Sequence, residues 1–256
     1  MLVFSTMILV NLSPVDALTT LIRNGFFIEI GYDNFITYGG KYAENQLIKR
    51  VLETVTSYDK NFIKSIHMPY DEIDADTVPL EAIVSRMIKW LDFAQEVGAS
   101  IAVFHTLKTS SNVFDTNLYF FRKIVKEASD RGVMVAIENR LEKELFGSKP
   151  QDLKNLVTAL GEEAGICLDV GHANITKNLR QFIDVVGNQV IELHLHDNDG
   201  SKDLHKPPYT GSVDWNLVTE FIKRRKNALP VFEVLCRESP VHCIVNANTI
   251  RKMFEI

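Results

Sequence analysis

The segment ELHLHDNDGSKDLH, Glu192 to His205, sets imidazole and carboxylate side chains close together directly after an apolar run. Within it Glu192, His194 and His196 alternate with Ile191, Leu193 and Leu195, the period of a β-strand whose polar and apolar residues point to opposite faces. Imidazole with carboxylate suits zinc, manganese or iron better than calcium, which takes oxygen ligands. Asp203 and His205 repeat the pairing two residues apart. The segment is either a solvated acidic loop or one wall of a metal site, and the rest of the chain decides which.

Partners recur at the ends of other apolar runs. His67 lies in SIHMPY, His105 in AVFHT, Glu138 and Asn139 in AIENR, Asp169 and His172 in CLDVGH, and Glu233 in VFEV. A lone histidine at such a place is usually a core or surface residue. A carboxylate inside an apolar run is costly unless paired, and Glu138, Asp169 and Glu233 are three such residues. Six of the seven histidines cluster at or just beyond these ends, so a metal site is expected. His242, in the last helical stretch, reads as structural.

The elements that must position these residues follow from hydropathy. Short apolar runs typical of buried parallel strands occur as LVFSTMIL, FFIEIGY, FIKSIHMP, SIAVFHT, VMVAIEN, GICLDVGH, VIELHLHD and LPVFEVL. Amphipathic stretches of helical length separate them, among them 79–97 and 112–131. Ser13-Pro14 places proline where a first helical turn tolerates it. Gly25, Gly98, Gly132, Gly161, Gly165 and Gly187 read as helix stops. Eight strand–helix alternations in 256 residues predict an α/β fold, a (β/α)8 barrel, spanning residues 1–256 as one domain. An open doubly wound sheet is the rival, but no glycine-rich phosphate loop follows an early strand. The longest irregular connection is expected at 199–212. Barrel sites form at the carboxyl ends of the strands, where these histidines and carboxylates fall.

Composition narrows the function. A net charge of −5 and pI near 5.8 argue against a broad basic surface for nucleic acid or anionic membrane. The apolar start MLVFSTMILV lacks the basic flank and cleavage site of a signal peptide and is too short to span a bilayer. Cys167, Cys236 and Cys243 form no CxxC pair or disulfide-like framework, and Cys167 and Cys236 read as core thiols. A reducing, cytoplasmic setting follows from that reading.

Together AIENR, CLDVGHAN, HLHDNDGSKDLH and GSVDW resemble the xylose isomerase-like barrel superfamily, which holds sugar and sugar-phosphate isomerases and epimerases and also endonuclease IV. The likeness runs along nearly the whole chain. In the single-metal isomerases and epimerases it implies one Mn2+, Mg2+ or Co2+ held by Glu138, Asp169, His194 and Glu233. His194 is taken over His196 because it stands three residues before Asp197, although His196 stands three before Asp199. The endonuclease IV resemblance implies up to three Zn2+. His67, His105 and Glu138 would hold the first; Glu138, Asp169, His194 and Glu233 the second; His172, Asp203 and His205 the third, with His196 supporting them. Two departures weaken a DNA substrate. The loop GYDNFITYGGKYAENQ has one lysine and no arginine, and Tyr209 replaces a glycine often found before TGSVDW, which would narrow the mouth.

Two chemistries follow. An isomerase or epimerase would use Glu138 and Glu233 as the acid–base pair on a small sugar or sugar phosphate. Asn139, Arg140, His196 and Arg237 are then candidate substrate contacts, the arginines as clamps for phosphate or carboxylate. A zinc phosphoesterase is the alternative, with an abasic-site or small phosphoester substrate. A non-catalytic metal- or sugar-binding barrel is a third possibility. Nucleic acid and membrane are not expected as partners; a homodimer is.

Overall fold

The computed structural model describes residues 2–254. Along the chain run β1 (Val3–Ser5), α1 (Pro14–Arg23), β2 (Phe27–Ile30), α2 (Asp33–Thr37), α3 (Glu44–Val55), β3 (Ile63–His67), α4 (Leu80–Val97), β4 (Ile101–His105) and α5 (Val113–Ser129). There follow β5 (Met134–Glu138), α6 (Pro150–Leu160), β6 (Ala164–Asp169), α7 (Val170–Ile175), α8 (Leu179–Val186), β7 (Val190–Leu195), α9 (Trp215–Arg224), β8 (Leu229–Phe232) and α10 (Pro240–Phe254). The eight strands are parallel, each pairs with the next, and β8 returns to β1, closing a (β/α)8 barrel.

Alternation along each strand explains the layers. Ile66, Phe104, Ile137, Leu168, Leu193 and Leu195 belong to the main core between barrel and helices. Each such side chain contributes about 1.5–3 kcal/mol by leaving water. Val103, Ala136 and Cys167 form a separate small apolar cluster, on the inward face by the same alternation. The residues two further along those strands, His105, Glu138 and Asp169, therefore point into the barrel mouth.

Several local expectations are corrected. The first strand is only three residues long, because Thr6–Leu9 form a 3-10 turn whose N-cap is Ser5. Gly165 is not a helix stop but lies in β6, where a Cβ would stand 2.7 Å from the Ile191 side chain. Gly187 does cap α8, as expected, and also opens a 3-10 turn. The connection after β2 holds α2 and the start of α3. Cys236 is not a free thiol but is disulfide-bonded to Cys243, and Cys167 is the buried free cysteine. Sequence alone hid this pair because it joins the connection after β8 to the next helix across seven residues. The cysteine argument for a reducing compartment does not survive that bond. Among the described residues no helix is long and apolar enough to cross a membrane.

Candidate metal centre

At the carboxyl ends of the strands, Glu138 is enclosed by imidazoles. Its Oε2 lies 3.1 Å from His67 Nε2 and 2.7 Å from His105 Nε2. Its Oε1 lies 3.3 Å from His194 Nδ1 and 3.4 Å from His172 Nδ1. Glu233 Oε2 stands 3.1 Å from the same His194 Nδ1, and Asp169 Oδ2 stands 4.0 Å from it. One ligand atom from each of Glu138, Asp169, His194 and Glu233 lies within 4.8 Å of the others. Four successive strands thus deliver one nitrogen and three carboxylate donors to a common point, a set that fits a divalent metal of mixed N/O preference.

Local structure fixes each donor. Asp169 ends β6 and caps α7, accepting the His172 N–H at 2.6 Å. Asn139 ties β5 to β6 in both directions, donating to the Asp169 carbonyl at 3.0 Å and accepting the Asp169 N–H at 2.7 Å. It is buried beside the centre and is not among the residues lining the cavity above it.

A second cluster comes from the loop after β7. Asp203 Oδ2 lies 3.0 Å from His205 Nε2 and 3.4 Å from His172 Nε2. The loop is held by Asp197, whose carboxylate accepts from the N–H groups of Asn198, Gly211 and Val213 and from Trp215 Nε1 at 2.7–3.1 Å. A Cβ on Gly211 would stand 2.2 Å from the Asn198 carbonyl oxygen, so the GS turn tolerates no side chain there. His205 itself has φ of 44°, a left-handed conformation costing on the order of 1 kcal/mol or more for a non-glycine residue.

The outer ring nitrogens set the tautomers. Nδ1 of His67 faces the Met68 carbonyl at 3.0 Å, that of His172 the Asn139 carbonyl at 2.9 Å, and that of His205 the Glu233 carbonyl at 2.8 Å. A carbonyl accepts only, so each Nδ1 carries a proton and each neutral ring keeps its Nε2 lone pair for a metal. His105 differs. Arg140 Nη1 donates to its Nδ1 at 2.7 Å, which leaves the proton of a neutral ring on Nε2, facing Glu138. Burial also pushes His105 down to about 4, so the ring is neutral.

Electrostatics follow the same contacts. Burial opposes ionisation of Glu138, but the neighbouring imidazoles, His105 first, hold it well below the usual carboxylate range. Burial works against charge on His67 and His205, yet hydrogen bonds to Glu138 and Asp203 raise them to about 10 and about 9. Beneath the centre, burial pushes Glu192 up to about 8.

Glu138, Glu233, His67, His105, His172, Asp203 and His205 line a cavity of about 560 Å3. Arg140 and the exposed Arg237 line it as well, with Lys108 and Glu142. Arg140 Nη2 also donates to Glu142 at 2.9 Å. His196 is fully buried and off the cavity, its Nε2 3.0 and 3.1 Å from the two Asp169 oxygens and its ring stacked on His205. Tyr209 does not narrow the mouth. Its φ of 66° is the left-handed backbone that favours glycine, and its ring lies against Trp215 and Phe254.

Several residues near the site are not singled out by the sequence, Lys108 and Glu142 among them. Tyr70 stacks on His105 and donates to Asp33 Oδ1 at 2.7 Å, and both line the cavity. Tyr70 lies three residues beyond His67, which is the only sequence signal. Glu29 lies beneath His194, and its signal is a carboxylate inside FFIEIGY.

Comparison with known proteins agrees with this architecture. The profile of the family described as xylose isomerase-like TIM barrel matches residues 27–247. An uncharacterised protein of Methanocaldococcus jannaschii is 26% identical over 236 residues, covering 88% of this chain and 86% of its own. A solved protein described as D-tagatose 3-epimerase-like superposes with a TM-score of 0.79 at 21% identity, over 98% of this chain and 97% of that one. The IolI protein with a bound zinc atom superposes with a TM-score of 0.77 at 15% identity, over 100% and 99%.

Proposed function

The chain belongs to the xylose isomerase-like TIM barrel family, and from that premise we propose that it is a divalent-metal-dependent isomerase or epimerase of a small sugar or sugar phosphate. The observation that carries this reading is a division within the central four donors. Glu138 and Glu233 line the cavity, whereas Asp169 and His194 are fully buried and do not. A divalent ion held by the four supplies Lewis acidity to a carbonyl and its neighbouring hydroxyl, acidifying the C–H between them.

Glu138 and Glu233 then take and return that proton as base and acid. Both reach the cavity from the strands on either side of Asp169 and His194, so a substrate above the buried pair lies between them. Arg140, Arg237 and Lys108 on the cavity wall favour a phosphate or carboxylate group on the substrate. The D-tagatose 3-epimerase-like neighbour supports a sugar as the substrate class.

A second reading, phosphoester hydrolysis, is favoured by the His172–Asp203–His205 cluster, in which the Asp203 carboxylate faces the Nε2 atoms of both rings. The contact of Arg140 with His105 weighs against the full three-zinc arrangement, because a neutral His105 has no lone pair at Nε2.

The test is incubation of the metal-loaded protein with ketoses, aldoses and their phosphates in D2O. Proton exchange through the carboxylates predicts deuterium at the carbon next to the carbonyl, seen by NMR. Release of inorganic phosphate without deuterium would establish hydrolysis instead, and neither outcome with any substrate would favour a binding barrel.

A further inference from the structure

We propose that Glu29 is a positioning residue that makes His194 a metal ligand. The proposal rests on the metal reading above and concerns a side chain outside the set of donors. Three imidazoles at the site have their tautomers set by main-chain carbonyls. His194 is anchored by a side chain. Its Nε2 lies 3.2 Å from Glu29 Oε2, while its Nδ1 faces Glu138, Glu233 and Asp169.

The Glu29 carboxylate can only accept from the ring, so Nε2 carries a proton, and a divalent metal held among the three carboxylates on the other side would take the Nδ1 lone pair. Ser65 Oγ donates to the same Glu29 oxygen at 3.4 Å, helping to hold it. Glu29, Ser65 and His194 are all fully buried, so bulk solvent does not compete for the ring proton. A carboxylate acceptor also raises the basicity of the opposite nitrogen, and loss of such a partner typically weakens metal binding about 10- to 100-fold. Glu29 thus acts on the metal through His194, from a layer the substrate does not reach.

The experiment has two parts. Zinc(II) affinity is measured by chelator competition for the wild-type chain and for Glu29→Gln, which keeps the side-chain size but removes the charge. We expect at least about tenfold weaker binding. In parallel, 15N-histidine NMR of the zinc-loaded wild-type protein reads the His194 ring directly, without any substitution. The expected signature is a proton on Nε2 and zinc on Nδ1.

A zinc-bound Nε2 would overturn the proposal, since the deep carboxylates Glu29 and Glu192 would then be ligands themselves. Zinc affinity of Glu29→Gln within twofold of wild type would also overturn it while leaving the metal centre standing. A wild-type chain that takes up no zinc would overturn the metal centre, and this proposal with it. Should Glu29→Gln fail to fold, the wild-type spectrum still decides.

Discussion

Glu138 meets four imidazoles with two oxygens, and its chemistry follows from that enclosure. Replacing it by Gln keeps the shape but removes the negative charge and the proton-accepting oxygen. Glu138→Gln and Glu233→Gln are each expected to lower turnover by at least about 100-fold, measured as deuterium exchange into the substrate. Gly171 makes a different kind of prediction. A Cβ there would stand 2.0 Å from His196 Cε1, so Gly171→Ala should cost about 1–3 kcal/mol through overpacking. The expected drop in melting temperature is about 2–12 °C, and an unchanged value would mean that the His196 ring is free to move. The histidines and carboxylates that end apolar runs were legible in the sequence because a charged or ring side chain is conspicuous there. Glu29 was not, because its role depends on a residue 165 positions away, and periodicity does not tell which strand faces which across the barrel. The contact of Arg140 with His105 was hidden for the same reason.

At the scale of elements, the loop after β7 is a rigid platform built on one buried carboxylate. Asp197 satisfies three backbone N–H groups and the Trp215 indole. Asp197→Ala strands these donors, at about 1–3 kcal/mol for each that stays buried and unpaired. Hydrogen exchange is expected to show faster exchange at 198–213 with β3 to β6 still protected. Uniform loosening of the barrel would contradict the view that Asp197 serves the loop. All eight strands were legible as apolar runs, since parallel strands covered on both faces need little else. The 3-10 turn at Thr6–Leu9 was not, because TMIL is apolar whether it continues a strand or coils beneath the mouth. The helices after β2 were hidden for the opposite reason, in that the polar residues there look like a coil while α2 and α3 bury Phe35, Leu47 and Val51.

For the whole molecule, barrel closure gathers residues from position 67 to position 233 around one cavity, and the metal we propose for them is the central claim. The most direct test is metal analysis by mass spectrometry of protein purified without added metal or chelator, then again after reconstitution. Wild type is compared with Asp169→Asn, and with Asp203→Ala and His205→Ala. The account predicts about one divalent ion per chain, lost in Asp169→Asn and retained in the two loop variants. Two or three zinc ions, one of them lost with Asp203 or His205, would move the chain to the hydrolase reading. No metal in the wild-type protein even after reconstitution would contradict the account.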